Sequence, residues 1–424
     1  METLLPQTLH GYDRGHRLLA FDGDVSDAER SLIERLSDLS GYTPSGFSFT
    51  AYLTGYPCGR YYALACTWPD LTAERGGAVL THTVLLPRAL AAAAPSLAPL
   101  LSLHRKPTTT SDREPYRALR PWDAAQVARE PFISPARARA ALALVFFQPE
   151  RPAVWIDAVA PLDGVAHIWR HLWPEARQDF SFCTLSFQPR QVEGRAFTFI
   201  GAPPESRGAF PTRGTTRAWW DQGQMGDPRW LTEGAIPALD QLVAGGPAWV
   251  QELIGPAREA GLRPPRPHEL PQLAQLMDLR RAAPSRLSAA RGAADLLAAL
   301  WPDAAPSHPW WTEALGHLIN RQPDAAISAR PLWELIDLLG RPQLKARLGE
   351  TSLSAELRER IEEQVAHRLT EAPAATAEGL SGLLTAIGDA LKETACSGPS
   401  PMAHTPRSLA RPAPSGRDRS PRRS

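Results

Sequence analysis

Two short segments near the start of the chain, Gln7–Tyr12 and His16–Phe21, flank Asp13-Arg14-Gly15. A three-residue loop with glycine in its left-handed position closes such a pair into a β-hairpin. This hairpin constrains the fold more than any other stretch, because its loop length sets a register. Tyr12 falls opposite His16, and His10 opposite Leu18. Side chains alternate between the two faces of a strand. His10, Tyr12 and His16 therefore share one face, while Leu9 and Leu19 meet on the other and can enter a core.

A helix is predicted next. Ser26 and Glu29 have capping-box spacing, Leu32, Ile33, Leu36 and Leu39 form its buried stripe, and Gly41 stops it. Strands are predicted at Tyr61–Thr67 and Val79–Leu86, joined by a loop of turn formers from Trp68 to Gly77. Pro135–Phe147 reads as a helix and Ala153–Ile156 as a short strand. Asp163–Trp173 reads as a helix capped by Asp163, and Phe180–Phe187 with Ala196–Ile200 as a second hairpin. Strands and helices interleave without a regular βαβ period, which favours α+β over a doubly wound fold.

The pattern then changes. Residues 204–217 are rich in Pro, Gly and Arg and read as a linker. Residues 218–395 read as an all-α region. Leu231–Leu242, Ala248–Ala260, Leu270–Ala282, Arg286–Leu300, Trp310–Asn320, Pro331–Leu339, Ala355–Leu369 and Glu378–Glu393 each show helical spacing, without a fixed repeat. Residues 396–424 collapse to Pro, Ser, Arg, Ala and Gly. Such a composition cannot bury a core and reads as a disordered tail or as the product of a frameshift. The expected architecture is an α+β domain over 1–203, then the linker, the helical region and the tail.

Composition narrows the function classes. Hydrophobic residues make up 43% of the 424, enough for a sizeable core. The net charge of +1 argues against a general nucleic-acid binder. Four scattered cysteines, Cys58, Cys66, Cys183 and Cys396, have neither metal nor redox spacing and suit a reducing cytoplasm. No signal peptide is read at the start, and the apolar run Leu85–Leu103 is too interrupted by Pro87, Arg88, Pro95 and Pro99 to span a bilayer. Neither a GxSxG elbow, an HExxH helix, a GxGxxG fingerprint nor a Walker A loop occurs.

The chemistry-bearing residues left are His10, Tyr12, His16, Asp70, Arg75 and His82. His82 alternates with Leu80 and Val84, and a sheet can bring it near the hairpin histidines. Imidazoles can bind zinc or act as acid or base oriented by Tyr12 or Asp70, and Arg14, Arg75 and the glycines beside it can bind an anion. Against these stands the reading in which the histidines satisfy buried backbone groups and fix the hairpin. No metal and no cofactor is expected. Trp219-Trp220, after the linker, is either a helix-packing pair or a partner anchor.

An ordered run of motifs resembles a known family: Gln7-x-Leu9-His10-Gly11-Tyr12-x-x-Gly15-His16-x-Leu18-Leu19, Leu36-Ser37-Asp38-Leu39-Ser40-Gly41, Tyr56-Pro57, Tyr61-Tyr62-Ala63-Leu64-Ala65-Cys66-Thr67-Trp68, and Arg75-Gly76-Gly77 to Thr81-His82-Thr83-x-Leu85. Leu172-Trp173-Pro174 to Arg177 and Phe180-Ser181-Phe182-Cys183-Thr184 look like its later part. Over residues 4–203 the chain is similar to the N-terminal domain of bacterial GTPase-associated protein 1. The resemblance implies a cytoplasmic component of a multi-gene conflict system of anti-phage type, encoded beside a GTPase. It carries over no catalytic residue. The expected function is a non-enzymatic adaptor that binds the neighbouring GTPase or another system protein, without membrane or specific nucleic acid. The alternative is an enzyme or ligand sensor that uses the His/Tyr cluster.

Overall fold

The computed structural model describes residues 2–314, apart from 45–46, 74–75, 124–127, 148–151, 211–218, 222, 226–234, 284–286, 303, 305–308 and 311–312. All lie in one compact unit, residues 1–321; a second unit, 322–424, falls outside the described residues. So do the predicted helices beyond 320 and the tail at 396–424.

The chain begins with β1 (Glu2–Leu5), β2 (Gln7–Tyr12), β3 (His16–Asp22) and α1 (Asp27–Ser37). Three long strands follow, β4 (Tyr52–Cys58), β5 (Tyr61–Pro69) and β6 (Val79–Pro87), and then α2 (Arg88–Ala93) and α3 (Ala98–Leu101). Next come β7 (Arg120–Asp123), α4 (Pro135–Phe146), β8 (Ala153–Ile156), α5 (Leu162–His171) and α6 (Pro174–Asp179). The short strands β9 (Phe182–Cys183), β10 (Gln191–Val192), β11 (Arg195–Ala196) and β12 (Phe199–Ala202) lead to β13 (Trp219–Asp221) and β14 (Gln224–Met225). The described part ends in α7 (Ile236–Glu259), α8 (Leu270–Ala282) and α9 (Leu287–Leu300).

Ten strands form one mixed sheet in the order β14-β13-β8-β12-β9-β4-β5-β6-β2-β3. The run β13-β8-β12-β9 is parallel, and the other neighbours are antiparallel. With the helical region behind it, this is the α+β arrangement the sequence implied. One face carries α1, whose Leu32, Ile33 and Leu36 pack on Tyr56, Ala63 and Leu85. On the other face Tyr62 meets Trp169 of α5 edge-on, with ring centroids 5.5 Å apart.

α1 starts where its capping box places it. Ser26 Oγ accepts from the Glu29 backbone N–H, and the Glu29 carboxylate accepts from the Ser26 backbone N–H. The same carboxylate accepts from the Arg60 N–H at 3.1 Å, tying the helix start to the β4–β5 turn. The helix ends at Ser37, so Leu39 lies beyond it and packs instead near Tyr52, Leu185 and Phe187.

Three predictions change. Phe182–Cys183 and Phe199–Ala202 pair in parallel, not as a hairpin. The turn between them belongs to β10 and β11, where Glu193 (φ 48°) and Gly194 (φ 77°) take the left-handed region. Asp163 does not cap α5. Its carboxylate is held by the Arg137 guanidinium at 2.9 and 3.0 Å, and Pro161 is the capping residue. The sheet also continues past residue 203. β13 pairs with β8, and Trp220, buried, stacks on Trp155 at 4.9 Å. That indole pair takes Trp220 out of the surface.

In the helical region α8 spans Leu270–Ala282 as predicted, and α9 starts at Leu287. The predicted break between Leu242 and Ala248 is a kink inside α7, at Gly246 with φ 58°.

Candidate functional site

The hairpin keeps its predicted register near the turn. Tyr12 pairs with His16, and His10 with Leu18. A bulge then intervenes, so that Leu9 pairs with Ala20 and Leu19 is the extra residue. Leu9, Leu19 and Ala20 join Leu80 and Tyr116 in one buried cluster.

His10 and His16 stack on the face covered by α1, with ring centroids 6.1 Å apart. The Ser37 hydroxyl donates to Glu34 O at 2.8 Å, so it can only accept from His16 Nε2–H, at 2.7 Å. This leaves His16 Nδ1 facing Asp38 Oδ1 at 3.8 Å. Burial lowers the His16 pKa; Asp38 and Glu34 oppose the shift without reversing it. His10 is fully buried, and burial, then repulsion from His16, takes its pKa to about 3. Its Nε2 has no hydrogen-bond partner.

His82 is not part of this group. β2 and β6 pair with Leu9 opposite His82, which sets His82 on the face away from His10. There its Nε2–H donates to Gln7 Oε1 at 2.7 Å and its Nδ1 accepts the Arg105 N–H at 3.1 Å. Gln7 in turn donates to Pro115 O and Ala118 O. His82 and Gln7 thus pin residues 105–118 against the sheet, with Tyr116 and His104 edge-on to the imidazole at 5.0 and 5.5 Å. Burial holds the His82 pKa well below its ordinary value.

Asp70 is buried in the β5–β6 turn. Its Oδ1 accepts from the Thr72 N–H and hydroxyl, and its Oδ2 has no partner. Arg75 lies outside the described residues.

Pairing nevertheless gathers the loops. Because β2 runs antiparallel to both β3 and β6, the 12–16 turn and the 69–79 turn lie at one end of the sheet. The segment after α1 joins them there through His16 and Ser37. A Cβ on Gly77 would sit 3.8 Å from Thr43 Oγ1. On this rim Tyr42 is 97% exposed and Leu71 88%. Single exposed apolar side chains are ordinary, but two large ones on touching loops suit a protein contact.

Beneath the rim a polar seam crosses the α1-covered face. Thr67 donates to Thr81 Oγ1 at 2.9 Å, because Thr81 spends its own proton on Ser37 O at 2.6 Å. Buried Arg190 donates to Leu36 O at 2.8 Å and Asp38 O at 3.3 Å. These bonds satisfy carbonyls that the end of α1 leaves open. Sequence reasoning missed Ser37, Thr81 and Arg190. Ser37 and Thr81 stood within the quoted motifs without being singled out, and Arg190 lies too far along the chain to give a signal.

The arrangement is suited to holding loops in place. Among the described residues, no three His, Cys, Asp or Glu side chains are grouped to hold a metal ion. No described helix is long and apolar enough to cross a membrane.

No curated protein and no solved structure matches the chain. A family model matches residues 4–104, the stretch that holds the hairpin, α1, β4–β6 and all three rim loops. The later motifs at 172–184 fall outside that match. The model that matches is that of GTPase-associated protein 1, N-terminal domain type 1.

Proposed function

We propose that the chain is a non-enzymatic adaptor of a GTPase-centred bacterial conflict system of anti-phage type, and that the loop rim binds the partner GTPase. The observation that carries this reading is the meeting of the 12–16, 37–44 and 69–79 loops at one end of the sheet, with Tyr42 and Leu71 exposed on it. Tyrosine is enriched among the residues that dominate binding at protein interfaces, and neighbouring exposed apolar side chains mark contact surfaces. The buried bonds beneath, His16 to Ser37 and Thr81 to Ser37, hold the loops that present them. Other system components are alternative partners of the same rim. No membrane or specific nucleic acid enters this proposal, and the cytoplasm is its setting.

The test is size-exclusion chromatography of the purified chain with the GTPase encoded beside it, in the GDP, GTP-analogue and nucleotide-free states. Co-elution in at least one state supports the reading. Separate elution in all three contradicts it.

The second reading, a ligand sensor or enzyme built on the hairpin, keeps His10, Tyr12 and His16 on one face. His82 belongs to the opposite face and takes no part in it.

A further inference from the structure

Arg190 lies between β4 and the end of α1, 6% exposed. Its guanidinium stays charged at any physiological pH, and among the described residues no carboxylate lies within ion-pair distance of it. It is met by the two carbonyls of Leu36 and Asp38, by Cys183 Sγ at 3.7 Å and by the Phe197 ring, centroid at 5.9 Å. Cys183 has already committed its S–H to Leu185 O at 3.0 Å. The carboxyl end of a helix supplies roughly half a negative charge, so part of the cation stays unanswered.

The same surroundings hold two phenols. Tyr52 is 2% exposed and Tyr56 fully buried, and neither hydroxyl has a hydrogen-bond partner. Thr67, opposite Tyr52 in the β4–β5 pairing, is the polar neighbour of its hydroxyl. Tyr56 stands edge-on to Phe197 at 6.4 Å, the ring that Arg190 covers, and Tyr52 shares a cluster with Cys183. A buried hydroxyl without a partner costs about 1–3 kcal/mol, so two beside an under-compensated cation need an explanation. Both phenol hydroxyls can donate, and the Asp38 carboxylate, whose charge acts on Tyr52, is outside ion-pair distance of Arg190. Leu39, Phe47 and Phe49 pack over Tyr52 from the solvent side.

We infer that Arg190, Tyr52 and Tyr56 form a binding site for a small inorganic monoanion of halide size. The anion would accept from both phenols and complete the neutralisation of the guanidinium. The site stands apart from the rim contact proposed above and does not depend on it.

The test is thermal unfolding of the full chain at fixed ionic strength, with potassium gluconate replaced stepwise by chloride or bromide. We expect a saturable rise in Tm, about 3 °C at ten times the half-saturating concentration. The Tyr52→Phe/Tyr56→Phe double variant removes only the two hydroxyls and should abolish the rise while still unfolding cooperatively. Crystals grown in bromide should show an anomalous peak between the phenols and Arg190. Equal Tm in all salts, an unchanged rise in the double variant, or water alone at that position would overturn the inference.

Discussion

His16 and Ser37 share one directed hydrogen bond, Nε2–H to Oγ at 2.7 Å, that joins the tip of the β2–β3 hairpin to the last residue of α1. Ser37 is the meeting point of two rim loops: its hydroxyl serves His16 and Glu34, and its carbonyl serves Thr81. Ser37→Ala keeps the carbonyl bond and deletes the other two. The expected loss is about 1–2 kcal/mol in urea unfolding, with faster hydrogen exchange confined to residues 12–16 and 37–44. Unchanged exchange there would separate Ser37 from loop positioning.

His82 and Gln7 offer a contrasting test, since both face away from the rim. Gln7→Leu leaves the His82 Nε2–H without an acceptor and frees residues 115–118. A loss of about 2–3 kcal/mol is expected, as for a buried group left unsatisfied. Binding of a partner at the rim should be unaffected at temperatures where the variant is folded. A variant that stays stable but loses the partner would place His82 in the site after all.

The pH dependence follows from imidazoles buried in the neutral form. His10 and His104 are held at about 3 and His171 at about 4, each chiefly by burial, against 6.5 in the unfolded chain. The unfolded state therefore binds protons that the folded state refuses. Stability is complete above pH 6.5 and falls as the pH drops towards the folded values. At pH 5 each such imidazole costs about 2 kcal/mol. Urea midpoints should decline from pH 7 to pH 5, and His10→Phe should flatten that decline. A midpoint constant over this range would contradict the burial of these rings.

Gly201 tests the parallel half of the sheet. A Cβ there would come within 2.4 Å of the Thr184 carbonyl, a backbone atom that cannot step aside alone. Gly201→Ala should cost about 1–3 kcal/mol, the usual range for overpacking. Thermal unfolding of the variant checks this, and a neutral result would argue against the β9–β12 pairing.

Local features were legible in the sequence, while long-range partnerships were not. Asp13-Arg14-Gly15 gave the hairpin register, and Ser26 with Glu29 gave the start of α1, because both depend on neighbours within a few residues. Alternation placed His82 with Leu80 and Val84, yet could not say which face of β6 aligns with His10; that depends on how β2 and β6 pair. Asp163 has the look of a cap, but Arg137, 26 residues away, takes its carboxylate. β4 escaped because Gly55 and Pro57 interrupt its apolar pattern, although Gly55 is what lets Phe182 approach. The strand at Trp219 lay hidden behind a Pro/Gly/Arg-rich stretch, since stacking on Trp155 is a contact between distant residues.

The central claim is that the rim carrying Tyr42 and Leu71 binds the neighbouring GTPase. Its most direct test is calorimetric titration of that GTPase, in the nucleotide state that co-elutes, into the wild-type chain and into Tyr42→Ala/Leu71→Ser. Both side chains are exposed, so the double variant should keep its Tm. The account predicts an affinity at least ten-fold weaker, equivalent to about 1.4 kcal/mol. Equal affinity for a folded double variant would contradict it.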